Sequence, residues 1–245
     1  MAIPDTDSGS INQAKTTGLV VGLPFTINRA VAPEWAIALA SIAYPMNLNR
    51  HFFATKGEEI DKFRNGAVDY AIQKEAKYLF FIDDDVAIPS QALRVLIYHL
   101  ENADPKVMVI GGIYCAKTTP TEPIVYKKNG EGAFWQWKRN EVFECSGIGT
   151  GCMLIKTELF KHLSKPYFKT LDVFSEEDES KRLMMTDDLY FCKKVTDAGF
   201  KILADGSVLC VHWDVSTMTP YLLPPDSYPL RGEEAQEVVE GNVGK

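Results

Sequence analysis

The sequence predicts an α/β protein with a mainly parallel central sheet and helices on both faces. The first observation is that strand-like and helical patterns alternate from residue 18 to residue 113, in the order β-α-β-α-β-α-β. This alternation is typical of parallel strands joined by right-handed crossovers. The second observation is that the runs after residue 120 are shorter and separated by Gly and Asn, which predicts a smaller mixed or antiparallel part.

Apolar patterns locate the elements of the first half. Residues 18–23 (GLVVGL) predict a strand that ends at Pro24, and Pro33 suits the first turn of a helix over 33–43. Residues 78–82 (YLFFI) are continuously apolar, as in a strand that is buried on both faces. The other elements expected here are a strand, two helices and a further strand, over residues 48–54, 58–74, 89–100 and 107–113.

The second half predicts short strands, two helices and a last strand. The short strands are expected over residues 124–126, 133–137, 142–145 and 152–155, the helices over 157–163 and 186–198, and the last strand over 208–212. Residues 1–17 are expected to form a flexible arm and residues 221–245 an acidic, Pro-containing tail. One domain over residues 18–220 remains.

Composition and charge exclude several classes of protein. With 46% hydrophobic and 24% charged residues, the chain is not collagen-like, low-complexity or wholly disordered. The net charge is −7, and residues 18–220 are mildly acidic, whereas proteins that hold duplex nucleic acid normally carry a basic surplus. The longest apolar run, residues 107–116, is too short to cross a bilayer, and the N-terminus lacks the order of a secretory signal. We therefore expect a soluble, cytoplasmic protein without a transmembrane segment.

The five cysteines lie at positions 115, 145, 152, 192 and 210. Their odd number, the lack of a C-x-x-C pair and their mostly apolar surroundings are typical of buried free thiols. We expect a reducing compartment, no structural zinc and no catalytic cysteine.

Three acidic residues, Asp83, Asp84 and Asp85, directly follow the apolar strand over 78–82. Open α/β folds bind ligands at the carboxyl ends of their strands. Asp83 and Asp85 project the same way in an extended chain and repel each other unless they share a cation or a basic group. A hard divalent ion that bridges to a substrate phosphate suits this pattern. The alternative is a solvated acidic turn that caps the next helix.

A second acidic pair, Asp187 and Asp188, follows Thr186, the expected N-cap of the helix over 186–198. The pair indicates either a catalytic site or only the preference of a helix dipole for acids in its first turn, about 0.3–1 kcal/mol. His212 closes the last strand and would be an adequate Mn²⁺ ligand, although a lone histidine is more often structural.

Together these motifs resemble the GT-A class of glycosyltransferases, especially the family-2-like enzymes and related phage-encoded proteins. The resemblance covers about residues 18–215. Its motifs, in order, are Pro24 after a strand, Arg64-Asn65 in a helix, 81–85 (FIDDD), 146–155 (SGIGTGCMLI), 186–192 (TDDLYFC), 198–200 (AGF) and His212. It implies a Rossmann-like sheet and the transfer of a sugar from a nucleotide-sugar donor to an acceptor hydroxyl.

The resemblance also implies roles for single residues. Asp83 and Asp85 look like the D-x-D pair: Asp85 would coordinate a divalent ion, Mn²⁺ or Mg²⁺, and Asp83 would contact the donor ribose or the metal shell. His212 resembles the late metal ligand. Asp188 resembles the general base of inverting members, with Asp187 in place of the commoner Glu, and a retaining outcome stays open. The donor would lie against Pro24, Phe25, Thr26, Arg64, Asp83, Asp84 and Asp85.

The sequence departs from the family where the nucleobase is usually recognised. Residues 54–57 (ATKG) carry no acid after the second strand, and the next acid is Glu58. We expect a nucleoside-diphosphate sugar, first of all a UDP-sugar, and leave the base open. The acceptor is open too: a modified nucleic-acid base, a saccharide, a lipid or a protein.

Weaker candidates for the sugar or acceptor side are a glycine-rich loop, an acid and three tryptophans: Gly149, Thr150, Gly151, Asp187, Trp135, Trp137 and Trp213. A plain turn is the alternative for the loop. Aromatic faces suit stacking on a sugar, although packing in a core is the commoner fate of tryptophan. The charged segment 172–182 would be either a mobile flap or a solvated loop.

Two other functions compete with glycosyl transfer. A phosphatase of the haloacid dehalogenase type also places D-x-D after an apolar strand. Its motif continues with Thr or Val where this chain has Ala87, and its nucleophile is expected near the first strand. The other alternative is a non-catalytic module that binds a nucleotide-sugar or carbohydrate.

Overall fold

The computed structural model describes residues 17–128, 130–174 and 182–223. The expected arm and tail, and most of the expected flap, lie largely outside these residues. In chain order the strands are β1 (Thr17–Phe25), β2 (Leu48–Lys56), β3 (Tyr78–Ile82), β4 (Val86–Ala87), β5 (Val107–Ile113), β6 (Val125–Tyr126), β7 (Val142–Cys145), β8 (Gly147–Ile148), β9 (Cys152–Lys156), β10 (Leu171–Phe174), β11 (Arg182–Met185), β12 (Lys201–Leu209), β13 (Val211–Asp214) and β14 (Thr219–Tyr221). The helices are α1 (Pro33–Ala40), α2 (Ile60–Gln73), α3 (Ala92–Asn102) and α4 (Asp187–Asp197), with a 3-10 helix over Thr157–Lys161.

Seven strands form the central sheet, in the order β2-β1-β3-β9-β5-β12-β7. Neighbouring strands are parallel except where β9 and β7 take part, because these two run in the opposite direction. The sheet is therefore mainly parallel, as predicted. Smaller antiparallel groups also occur in the described part of the chain, β10 with β11, β6 with β8, and β13 between β14 and β4.

Helices cover both faces of the sheet. The apolar core consists of two clusters, one on each face of the sheet. Successive side chains of β3 enter the two clusters in turn, and all five residues of the strand are therefore buried. Phe63 of α2 and Phe191 of α4 lie in one cluster, and Trp35 of α1 and Leu96 of α3 lie in the other. The continuous apolar run over 78–82 therefore has the cause expected of it, burial from above and below.

Several predicted elements differ from the structure. Residues 133–137 do not form a strand, because Trp137 N donates to Trp135 O at 2.9 Å and bends the chain. The helix expected over 157–163 is a short 3-10 helix. The last strand is two strands, since β12 pairs with β5 whereas β13 pairs with β4 and β14.

β1 does not end at Pro24 but continues to Phe25. Its pairing with β3 stops at Gly22, and beyond that point β1 pairs with β2 alone. Proline is tolerated at such an edge because its missing N–H removes no hydrogen bond on the open side.

The ends of β1, β3 and β5 meet at one edge of the sheet, and β13 is fixed beside them. His212 pairs with Val86 across β13 and β4, and Trp213 N donates to Asp85 O at 2.7 Å. The last part of the fold is thereby attached directly to the acidic segment that follows β3.

All five cysteine side chains are buried, as the apolar surroundings predict. Within the described ranges, no helix has both the length and the apolar character needed to span a membrane.

Candidate active site

Arg64 joins the two acidic motifs. It lies on the buried face of α2, with its guanidinium 5.1 Å from the centre of the Phe81 ring. Its Nε donates to Asp187 Oδ2 at 2.7 Å, and its Nη2 donates to Asp83 Oδ1 at 3.0 Å. Burial alone would lower the pKa of Arg64, but Asp83, Asp187 and Asp188 outweigh it and hold the pKa above its ordinary value. The side chain is therefore a permanent cation between the end of β3 and the start of α4.

Asp83 is anchored through its main chain. Its carbonyl oxygen accepts a hydrogen bond of 2.7 Å from Trp35 Nε1, and its N–H donates to Gly151 O at 3.3 Å. Burial raises the pKa of the Asp83 carboxyl, and Arg64 opposes that shift. The structure therefore turns the Asp83 carboxylate towards Arg64.

Asp188 lies at the start of α4, where Thr186 is the N-cap, as predicted. Its Oδ1 accepts from the Thr186 hydroxyl and, at 2.8 Å, from Leu189 N. Burial raises the pKa of Asp188 to about 6, and the neighbouring Asp187 adds to the shift. A carboxylate with this pKa can accept a proton near neutral pH, which is the property required of a general base.

Asp85 and His212 face each other. Asp85 Oδ1 lies 3.5 Å from His212 Nε2, and His212 Nδ1 lies 2.7 Å from Cys115 O. Because a carbonyl oxygen only accepts, Nδ1 carries a proton, and Nε2 is the ring nitrogen that faces the carboxylate. A divalent cation between these two atoms satisfies both, so the pair fits a metal ion.

The predicted metal ligands do not all converge. Within the described part of the chain, no group of three or more His, Cys, Asp or Glu side chains is placed to hold a metal. Asp85 and His212 are brought together, whereas Asp83 binds Arg64. Any ion at this pair would need further oxygen ligands from a substrate.

Two cations at this edge were missed by the sequence analysis. Lys117 Nζ lies 2.6 Å and Arg29 Nη1 lies 3.2 Å from Asp85 Oδ2. Burial alone would raise the pKa of Asp85, but His212 and Lys117 hold it well below its ordinary value. Both residues follow strands that end at this edge, β1 and β5, and that position was the signal that could have found them.

Asp84 faces the loop after β1. Its Oδ2 accepts from Thr26 N at 2.8 Å, and its Oδ1 is paired with Arg29 Nη2. The buried carboxylate thus fixes the loop that contains Thr26 and Arg29. Pro24, Phe25 and Thr26 in turn line a cleft of about 230 Å³, together with Ile27, Thr55, Gly57, Glu58 and Ile60.

The glycine-rich loop wraps around Tyr114. Gly151 N donates to the Tyr114 hydroxyl at 3.0 Å, and a Cβ added at Gly149 would overlap that hydroxyl. Thr150 between them is buried. The Tyr114 ring meets His212 edge-on, with 5.3 Å between ring centres. The loop therefore supports the side chain beneath His212.

The tryptophans are dispersed. Trp137 is 2% exposed and its ring stacks on Phe143, with 6.1 Å between centres. It belongs to the core and is unavailable for stacking on a sugar. Trp135 is half-buried. Trp213 is half-buried beside His212, and its main-chain N–H donates to Asp85 O at 2.7 Å.

Comparison with known proteins identifies the fold. No protein-family model matches the chain, and a search of curated proteins found no match either. A197 from STIV superposes with a TM-score of 0.55 and 18% identity, over 88% of this chain and 98% of that one. GalNAc-T7, solved with UDP, GalNAc and Mn²⁺, superposes with a TM-score of 0.52 and 12% identity, over 82% of this chain and 44% of that one.

The chain has the GT-A fold. In this fold the motifs selected from the sequence are gathered at one edge of the sheet. The segment after β3 supplies Asp83 and Asp85, α2 supplies Arg64, α4 supplies Asp188 and β13 supplies His212. The arrangement combines a candidate base, a candidate metal pair and a cleft beside the end of β1.

Proposed function

We propose that the protein is a metal-dependent glycosyltransferase that moves a sugar from a nucleoside-diphosphate donor to an acceptor hydroxyl. One observation carries the proposal: the buried Arg64 binds Asp83 and Asp187 at once. It thereby places Asp188 in the same site as the acids that follow β3. A protein of the same fold, GalNAc-T7, was solved with UDP, GalNAc and Mn²⁺, which supports the choice of donor class and ion.

Asp85 and His212 would hold the divalent ion, Mn²⁺ or Mg²⁺. Their facing Oδ1 and Nε2 atoms, 3.5 Å apart, support this assignment. The hydrogen bond from His212 Nδ1 to Cys115 O fixes the ring so that Nε2 remains available. When bound, the ion would neutralise charge on the departing nucleoside diphosphate.

Asp188 would act as the general base. It takes the proton of the acceptor hydroxyl while the hydroxyl oxygen forms a bond to the anomeric carbon. The bond from that carbon to the diphosphate oxygen breaks, and the electron pair leaves with the nucleoside diphosphate. Direct attack from the opposite side inverts the configuration. The raised pKa of Asp188, about 6, supports this role.

The cleft beside β1 would bind the nucleoside. Pro24, Phe25 and Thr26, which the resemblance assigns to the donor, line it together with Thr55 and Glu58. A UDP-sugar is the first donor to test. The acceptor classes to be tested with it are modified nucleic-acid bases and saccharides.

A thermal-shift panel of nucleotide-sugars with and without Mn²⁺, followed by a donor-hydrolysis assay, tests the proposal. We expect at least one donor to raise the melting temperature only with Mn²⁺, and hydrolysis of that donor to be lost in Asp85→Ala. Asp69→Ala, which removes an exposed carboxylate that pairs with Lys165, is the matched control. No shift with any donor would contradict the proposal, and binding without hydrolysis or transfer would indicate a non-catalytic binding module instead.

A further inference from the structure

We propose that Lys117 and Arg29 bind the diphosphate of the donor, and that they leave Asp85 when a divalent ion takes their place there. This inference rests on the proposed function, because it adds two positioning residues to the same site. Neither residue belongs to the motifs that the sequence selected.

Both cations contact the same oxygen atom of Asp85. Lys117 Nζ is 2.6 Å and Arg29 Nη1 is 3.2 Å from Asp85 Oδ2, while Oδ1 faces His212. Asp85 is buried, whereas the side chains of Lys117 and Arg29 are 27% and 29% exposed. The two cations can therefore turn towards a ligand at the surface, and Asp85 cannot follow them.

The charge of the site requires cations besides the metal ion. The site is surrounded by five carboxylates, those of Asp83, Asp84, Asp85, Asp187 and Asp188. The single positive charge of Arg64 neutralises one of these five negative charges. One dication would still leave two negative formal charges beside a diphosphate that is itself an anion. Lys117 and Arg29 supply the two positive charges that remove this repulsion.

Arg29 has donor capacity to spare. Its Nη1 and Nη2 atoms bind Asp85 and Asp84, whereas its buried Nε has no hydrogen-bond partner among the described residues. An arginine presents its donors in a rigid fork that matches phosphate oxygens, and a buried donor without an acceptor is costly. A phosphate oxygen would satisfy it.

The two binding events should be coupled. A divalent ion on Asp85 would compete with the cations for the same carboxylate and so release them for the diphosphate. The ion therefore strengthens diphosphate binding, and by reciprocity the diphosphate strengthens ion binding. Lys117 thus opposes the ion alone and favours the ion together with diphosphate. If Lys117 only neutralised Asp85, it would oppose binding of the ion both with and without the diphosphate.

Calorimetric titrations with Mn²⁺ alone, inorganic pyrophosphate alone and both together test the inference. Pyrophosphate is the probe because every candidate donor contains the diphosphate whatever its base. In the wild type, we expect Mn²⁺ to strengthen pyrophosphate binding at least about 5-fold. In Lys117→Met, pyrophosphate should bind about 10- to 100-fold more weakly in the presence of Mn²⁺, while Mn²⁺ alone binds as tightly as in the wild type or more tightly.

Controls separate this inference from the proposed function. Lys106→Met removes an exposed lysine at the opposite edge of the sheet and should change neither affinity. Arg29→Met should change the affinities for pyrophosphate and Mn²⁺ in the same way as Lys117→Met. If loss of the contact with Asp84 unfolds the Arg29 variant, the Lys117 variant alone tests the inference. If Lys117→Met binds pyrophosphate as the wild type does, or loses affinity for Mn²⁺ alone together with affinity for pyrophosphate, this inference is wrong and the proposed function is unaffected. A wild type that binds neither pyrophosphate nor UDP with Mn²⁺ overturns the proposed function as well.

Discussion

Arg64 and Asp187 lie 123 positions apart in the sequence, and the structure joins them in a buried ion pair of 2.7 Å. The same guanidinium reaches Asp83 at 3.0 Å. One cation thus connects a strand end of the first half with a helix start of the second half. The ion pair shapes the site, and its loss would leave two acids without a counter-charge in a region of low dielectric.

Arg64→Met should therefore destabilise the fold. Removing one partner of a buried ion pair typically costs about 3–5 kcal/mol, because the remaining charge is buried without compensation. Urea denaturation followed by circular dichroism measures the loss. Lys62→Met, on the same helix, is the control, since Lys62 is exposed and pairs with the exposed Glu59. Equal midpoints for the two variants would show that the bridge contributes nothing to stability.

Asp188→Asn should abolish catalysis while donor binding persists. Asp188 acts as a base only when it is ionised, so the wild-type rate of donor hydrolysis or transfer should rise with pH through about 6 and then level off. Rates measured between pH 5 and pH 8 at saturating donor check this. Asp197→Asn, at the exposed end of α4, should keep the wild-type profile. A flat profile, or wild-type activity in Asp188→Asn, would remove Asp188 from the mechanism.

The same substitution should stabilise the folded protein above pH 6. The folded pKa of Asp188, about 6, exceeds the value of about 3.9 for an unfolded chain. Its favourable contribution is present below pH 4 and is lost as pH rises through 6, where the native carboxylate must ionise at a cost. Asn keeps the oxygen that accepts from Thr186 and Leu189. Two pKa units correspond to about 2.9 kcal/mol. Thermal unfolding at pH 7 should therefore show Asp188→Asn about 6–11 °C above the wild type, at about 2–4 °C per kcal/mol, and little difference at pH 4.

Local patterns made parts of this fold predictable. β3 and α4 have nearly the expected bounds, because a continuous apolar run and a Thr N-cap with acids behind it are signals contained in a few residues. The acidic segment after β3 was found for the same reason. These features depend on neighbours in the sequence and not on distant partners.

Features that depend on distant partners were missed. Lys117 and Arg29 follow strands that end at this edge, but their contact with Asp85 depends on where that residue lies in the folded chain. Residues 133–137 alternate as a strand would, yet Trp137 packs into the core from an irregular segment. The last strand is divided because its two halves find partners in different sheets.

His212→Ala should weaken Mn²⁺ binding by more than about 10-fold, because the ion would lose its nitrogen ligand and retain Asp85. Electron paramagnetic resonance of free Mn²⁺, recorded with the protein and UDP, measures the change. A chelator should abolish donor hydrolysis by the wild type, and added Mn²⁺ should restore it. His162→Ala is the control, since that ring packs at a tilt against Phe200, with 5.1 Å between ring centres. Equal affinities in both variants would exclude His212 as a ligand.

Gly149→Ala should lower the free energy of unfolding by about 1–3 kcal/mol, the usual cost of forcing extra volume into a packed region. The new methyl group would overlap the hydroxyl of Tyr114 and press on its ring, whose OH group accepts from Gly151 N. Gly132→Ala is the matched control, because nothing lies within 4 Å of the added atom. In a Tyr114→Phe background the penalty at Gly149 should shrink, since the closest atom is gone. If chemical denaturation gives the same stability for Gly149→Ala and Gly132→Ala, the glycine is not required by Tyr114. The loop beneath His212 would then need another explanation.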